Sequence, residues 1–127
     1  MGRTAADLTV SEIATCRRRL RERPERREAV WADRYAHALA VGRRAAELLR
    51  AEFGATRVVL FGSCLRAEWF TPWSDVDLAA WGIRPADTFR AMGRVRELDH
   101  AVEVNLVDAG ACSQILLAQI EAEGQPL

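Results

Sequence analysis

Apolar residues recur at three- and four-residue steps through Val30, Tyr35, Leu39, Val41, Ala45, Leu48 and Leu49, a spacing that predicts one long helix from about Glu25 to Phe53. Gly54 stands where a helix C-cap belongs. Beyond it the period changes. Arg57–Gly62, RVVLFG, is a short β-branched run that reads as a strand, and Ser63 opens a turn or short helix. Ser74–Gly82, SDVDLAAWG, reads as a second strand and Ala101–Asp108, AVEVNLVD, as a third. Between those two, Arg84–Asp99 reads as a helix with Pro85 near its start, and Ala111–Gly124 reads as a last amphipathic helix closed by Gly124. Upstream, Thr9 and Glu12 have the spacing of a capping box, which starts a helix at about 9–22. Strands alternating with helices predict an α/β (α+β) domain: a small mixed sheet flanked by helices over 29–127, preceded by an arginine-rich helical extension over 1–28.

Composition narrows the classes of function. The chain has 127 residues, half of them apolar, enough for one packed core without disulfides. Its 18 basic and 18 acidic residues cancel, which argues against nucleic-acid binding by bulk charge. Every basic residue is arginine, and seven fall between Arg17 and Arg27. That cluster reads either as a nucleic-acid arm or as a solvated helical face; the interleaved Glu22, Glu25 and Glu28 favour the face. Cys16, Cys64 and Cys112 are far apart, odd in number and without metal-ligand spacing, as expected in a reducing cytoplasm. No apolar segment follows Met1 and no run approaches the roughly 20 apolar residues of a membrane span, so neither a signal peptide nor a membrane partner is expected.

The chemistry concentrates in LFGSCLRAEWFTPWSDVDLA, Leu60–Ala79. Asp75 and Asp77 lie two apart in a strand, so they share a face at roughly 6.6 Å along it. Two like charges that close repel, and a divalent cation resolves the conflict. Oxygen donors favour Mg²⁺ or Mn²⁺, which commonly takes one or two carboxylates together with substrate phosphates. Gly62 and Ser63 stand where the first strand ends; glycine lets a phosphate approach the backbone, and the following N–H groups, if they open a helix, make an anion site. The Ser63 hydroxyl adds a donor, and Arg66, one turn on, adds a charged one. Asp-x-Asp alone reads as a solvated strand end and Gly-Ser alone as any turn; their order, spacing and strand context together read as a triphosphate cradle facing a metal-binding pair.

LFGSCLRAEWFTPWSDVDLAAWGI resembles the Gly-Ser … Asp-x-Asp signature of the DNA polymerase β-type nucleotidyltransferases, and most nearly their minimal nucleotidyltransferase (MNT) group. FGATRVVLFGS, WGIRPADTF, VEVNLVD and the closing IEAEG extend the resemblance over roughly 30–127. It implies the polymerase β-type fold and Mg²⁺-dependent transfer of AMP from ATP to a protein acceptor. By position, Gly62, Ser63 and Arg66 would bind the nucleotide and Asp75 and Asp77 the metal. It also implies a partner, a HEPN-type ribonuclease toxin that such a protein neutralises as an antitoxin by AMP attachment or by binding. Three positions depart from the pattern. Ala67 follows Arg66 where the group has glycine, and eleven residues rather than ten separate Ser63 from Asp75. Asn105 occupies the place of the third-strand carboxylate, where it is expected to offer the metal only its carbonyl oxygen, and Glu103, two residues earlier on the same face, is the candidate replacement as metal ligand and catalytic base. The intact Gly62–Ser63 and Asp75/Asp77 favour a working enzyme, whereas Asn105 favours a catalytically weak antitoxin that acts by covering its partner. A third possibility, an RNA-binding protein, rests on the arginine cluster alone.

Trp69, Phe70 and Trp73 crowd the loop between cradle and aspartates, as a base-stacking or partner surface or as packed loop side chains, and a homo-oligomer is a further expectation from such apolar surface. Trp81 is expected in the core. His37 and His100 have no ligand partner at a useful spacing, and Cys64 has no histidine near it to act as a nucleophile's base. Asp108 is expected to cap the turn after its strand.

Overall fold

The protein's structure is a computed structural model that describes residues 24–127. The expected helix at 9–22 and the arginines up to position 23 lie outside the described residues. Arg34–Leu127 forms one compact unit; Pro24–Asp33, the start of the long helix, belongs to another.

Helix α1, Pro24–Phe53, matches the long apolar period. Within the compact unit its buried positions are Ala38, Val41, Gly42, Ala45, Ala46, Leu49 and Phe53, one stripe at helical spacing. Small residues dominate that stripe, and they let the helix lie close to the sheet: a Cβ at Gly42 would stand 3.3 Å from Val76 Cγ1. The helix stops at Gly54, whose φ of +70° is open to glycine at little cost. The Ala55 N–H then donates to the Leu49 carbonyl at 3.1 Å, satisfying one of the last free acceptors.

Strands β1 (Arg57–Phe61), β2 (Val76–Trp81), β3 (Val104–Asp108) and β4 (Gln125–Pro126) form one sheet in the order β3-β2-β1-β4. β1 runs antiparallel to β2 and to β4, and β2 runs parallel to β3, so the sheet is mixed, as expected. The antiparallel register sets Val59 opposite Ala79 and Phe61 opposite Asp77; the parallel register sets Asp77 opposite Asn105. Alternation does the rest. Val58, Leu60, Val76, Leu78, Ala80, Val104 and Leu106 face α1 and helix α2, Thr88–Arg96. Val59, Ala79, Phe61 and Trp81 face helix α3, Gln114–Glu123, through Ile120 and Leu116. Both faces of β1 and β2 are thus covered, which explains their unbroken apolar runs.

The regular elements begin later than their apolar patterns. β3 starts at Val104 rather than Ala101 because the Asp99 carboxylate accepts the N–H groups of Ala101 and Val102 at 2.9 and 3.0 Å, holding both in a turn. α3 starts at Gln114 rather than Ala111, since the N–H groups of Ala111 and Cys112 donate to the Asp108 carbonyl and Ser113 caps the helix by accepting from Leu116 N–H. The Arg84–Asp99 segment opens as a 3-10 turn at Pro85–Asp87 before α2 proper. Asp108 does cap its turn, its Oδ1 accepting the Gly110 N–H at 2.9 Å. β4 has no counterpart among the expected strands. It is two residues on an edge, one of them proline, and it continues with the Leu127 N–H donating to the Val58 carbonyl at 3.0 Å. Arg50 donates to the Leu127 carbonyl. Trp81 is half-buried rather than fully internal, with the Arg57 guanidinium 4.3 Å from its ring centroid.

Gly124 joins α3 to β4 against the core. A Cβ there would stand 2.2 Å from Val59 Cγ1 and 2.4 Å from the Ile120 carbonyl oxygen. Gly124→Ala is expected to lower unfolding stability by about 2 kcal/mol through overpacking, measured by urea denaturation. A midpoint equal to that of the native protein would mean that the α3–β4 corner yields freely.

Candidate functional site

The site lies on the α3-facing side of the sheet, at the end where β1 stops and β2 and β3 start. Gly62 ends β1 with φ of +78°, and an ideal Cβ on it would meet Asp77 Oδ2 at 2.6 Å. Glycine is therefore required twice, by the backbone and by the carboxylate seated against it. Gly62–Leu65 is a four-residue 3-10 turn. It is too short to carry the macrodipole of an α-helix, so any anion here is met by individual N–H groups and hydroxyls.

The turn is held from three directions. Tyr35 on α1 donates its hydroxyl to the Cys64 carbonyl at 3.1 Å, and its ring packs on that of Phe70 at 5.4 Å. Burial raises the Tyr35 hydroxyl above its ordinary value, with the neighbouring Cys64 and Glu68 adding to the shift. The fully buried Cys64 thiol donates to the Asp75 carbonyl at 3.2 Å. Burial, helped by the charges of Asp77 and Asp75, pushes that thiol up to about 11, so it is a structural group and not a nucleophile. Ser63 Oγ donates to Ser74 Oγ at 3.0 Å, and Ser74 Oγ in turn accepts the Thr71 N–H at 2.8 Å. These hydroxyls pin the loop between the turn and β2.

Asp75 immediately precedes β2 and Asp77 lies in it, both half-buried. Asn105, opposite Asp77 on β3, donates its NH₂ group to Asp75 Oδ2 at 3.3 Å and to Asp77 Oδ1 at 3.4 Å. Its Oδ1 accepts from Arg96, in the last turn of α2, at 3.0 Å. Arg96 also pairs with Glu103, Nε to Oε1 at 3.4 Å. Burial raises the Asp77 carboxyl; the Asn105 hydrogen bond offsets part of this, and the Asp75 charge adds to it.

The structure thus gathers Gly62, Ser63, Asp75, Asp77 and Asn105. Arg66 is exposed and extended, its guanidinium 4.9 Å from the Trp69 ring centroid. Glu103 is half-exposed and turned to Arg96. Among the described residues, no three His, Cys, Asp or Glu side chains are grouped so as to hold a metal ion. Two carboxylates and an adjacent amide remain as the oxygen-bearing set. In the intervening loop Phe70 is buried, while Trp73 is 83% exposed. His37 donates a ring N–H to the Asp99 carboxylate at 3.0 Å and touches none of the gathered residues. Arg96 and Ser74 had no marker in the sequence reading. Ser74 does abut the Asp-x-Asp motif, whereas Arg96 joins the site only through strand pairing.

No protein-family model matches the chain, and no curated protein does. Comparison with solved structures finds one provisionally described as a minimal nucleotidyltransferase. The two are 27% identical, the alignment covers 78% of this chain and 94% of that one, and the TM-score is 0.47.

Because the Asp77 carboxyl sits above its ordinary value, the folded protein binds this proton more tightly than the unfolded chain does. Ionising Asp77 therefore costs stability as pH rises through that value. Without divalent cations, Asp77→Asn is expected to melt higher than the native protein at pH 7. The advantage should shrink as pH falls below the raised value, where native Asp77 is protonated. Thermal melts of both proteins across pH measure this, and a pH-independent difference would assign the effect to something other than ionisation.

Proposed function

We propose that the protein is a nucleotidyltransferase of the minimal type, which binds ATP with a divalent cation at the Gly62–Ser63 turn and the Asp75–Asp77 pair and transfers AMP to a protein acceptor. One observation carries this reading: the left-handed, side-chain-free Gly62 abuts the Asp77 carboxylate, so a strand-end turn and a same-face carboxylate pair adjoin directly. The donor set fits Mg²⁺ or Mn²⁺, since two hard oxygen ligands on a half-buried face repel each other until a cation joins them. When bound, that cation would neutralise phosphate charge and ease departure of pyrophosphate. The chain's own residues do the rest. Asp75 and Asp77 would hold the cation, the N–H groups after Gly62 and the Ser63 hydroxyl, once turned from Ser74, would bind phosphate oxygens, and Arg66 would leave Trp69 to add a charged donor. Glu103 is the carboxylate left to take the acceptor's proton.

The resemblance read from the motifs gives the acceptor its class: a HEPN-type ribonuclease toxin, which this protein would neutralise as an antitoxin in the cytoplasm. Free Cys64 and Cys112 suit that reducing setting, and among the described residues no helix is long and apolar enough to cross a membrane. A specific observation favours a second reading, in which the same protein works by covering its partner with little catalysis. Asn105 stands where a third carboxylate would, its NH₂ rather than its oxygen faces the aspartates, and Glu103 is engaged by Arg96.

ATP binding followed by calorimetry is expected to strengthen with Mg²⁺, and Asp77→Asn should remove the Mg²⁺-dependent part; binding that ignores both would end this reading of the site. Incorporation of labelled AMP into a HEPN-type partner separates the two readings. Slow transfer that Asn105→Asp raises by about a hundredfold means that the missing carboxylate limits catalysis. Robust transfer abolished by Glu103→Gln means that Glu103 already serves, and complex formation without transfer by any variant means the covering antitoxin.

A further inference from the structure

An asparagine amide has two unlike ends, and its neighbours decide which end points where. Asn105 lies between a pure donor, the Arg96 guanidinium, and two acceptors, the Asp75 and Asp77 carboxylates. One orientation satisfies every contact: Oδ1 toward Arg96 and NH₂ toward the carboxylates. Flipped, the amide would set oxygen against carboxylate and N–H against N–H. Asp75 and Asp77 impose this only while no cation lies between them, because a cation there would favour the oxygen. Arg96 imposes it always. Its grip is two-pointed, reaching Asn105 through one nitrogen and Glu103 through another.

We propose that Arg96 is a positioning residue that locks the Asn105 amide with its NH₂ group toward Asp75 and Asp77, so that a divalent cation entering there displaces an internal donor and gains no ligand from β3. The inference rests on the reading of Asp75 and Asp77 as the cation-binding pair. Asn105 then serves the cation-free pair as a stand-in for positive charge, with two N–H groups spread over two carboxylates. Removing Arg96 frees the amide to turn and offer Oδ1 as a third oxygen ligand. It also frees Glu103, whose charge would attract a cation regardless of the amide, and the test has to separate these effects.

The experiment is a double-mutant cycle on Mn²⁺ affinity, measured calorimetrically on the full chain with Mn²⁺ alone. The four proteins are native, Arg96→Met, Asn105→Ala and the double variant. Arg96→Met is expected to tighten Mn²⁺ binding about tenfold more with Asn105 present than in the Asn105→Ala background. Equal gains in both backgrounds would overturn the proposal, for Arg96 would then act through charge alone. A second readout needs no metal. In the cation-free native protein the Asn105 side-chain NH₂ signals should be protected from hydrogen exchange, and Arg96→Met should weaken that protection, because the carboxylates alone then hold the amide. NH₂ signals that are the same with and without Arg96 would overturn the lock directly. Failure of every variant to bind Mn²⁺, with the amide signals behaving as expected, would instead remove the cation reading of Asp75 and Asp77 and leave the orientation of Asn105 standing.

Discussion

The arrangement of this molecule turns on one unfavourable contact: two carboxylates held on the same face at the start of a central strand. Asp75 and Asp77 repel each other, and burial makes the charge on Asp77 costlier still. Nothing in folding requires them; valine or threonine would suit β2 better. The surrounding structure absorbs the cost piece by piece. Gly62 gives up its side chain to seat one carboxylate, Asn105 supplies N–H groups to both, and Cys64 fastens the Asp75 backbone from beneath. Strain of this kind is tolerated locally because the neighbours compensate it.

The supports come from different layers. α1 contributes Tyr35 to the turn and its small-residue stripe to the sheet, so the turn is braced against an element that itself packs closely on β2. α2 contributes Arg96 and β3 contributes Asn105. Because β2 pairs with β1 on one side and β3 on the other, Phe61, Asp77 and Asn105 lie in one row across the sheet. A shift of register by one residue at either ladder would turn Asp77 or its neighbour to the opposite face.

Much of this was legible in the sequence. The helical period through Val41, Ala45 and Leu49, the apolar runs at Arg57–Phe61 and Val76–Trp81, and the glycines at 54 and 62 are local signals, and local physics fixes what they do. The pairing of Gly62–Ser63 with Asp75/Asp77 was legible as well, because a hairpin-like antiparallel pair brings its own ends together. Contacts made at a distance left no such trace. Which way Asn105 presents its amide depends on Arg96, and that depends on where α2 ends relative to β3. The strand at Gln125–Pro126 has almost no pattern of its own and exists because β1 offers an edge. Asp99 delayed β3 by taking two backbone donors, a competition that hydrophobic alternation cannot register.

The parallel pairing of β2 with β3 has a consequence for how the site comes into being. Asp77 and Asn105 are joined only when strands 28 positions apart in sequence close against each other. That is a non-local step, and such pairings form late because loop closure precedes any gain from contact. A chain with helix α1 and the β1–β2 hairpin in place would hold the aspartates without their donor. The Asn105 donors therefore reach the aspartates only when β3 closes on β2, after the β1–β2 pair that carries both carboxylates has formed.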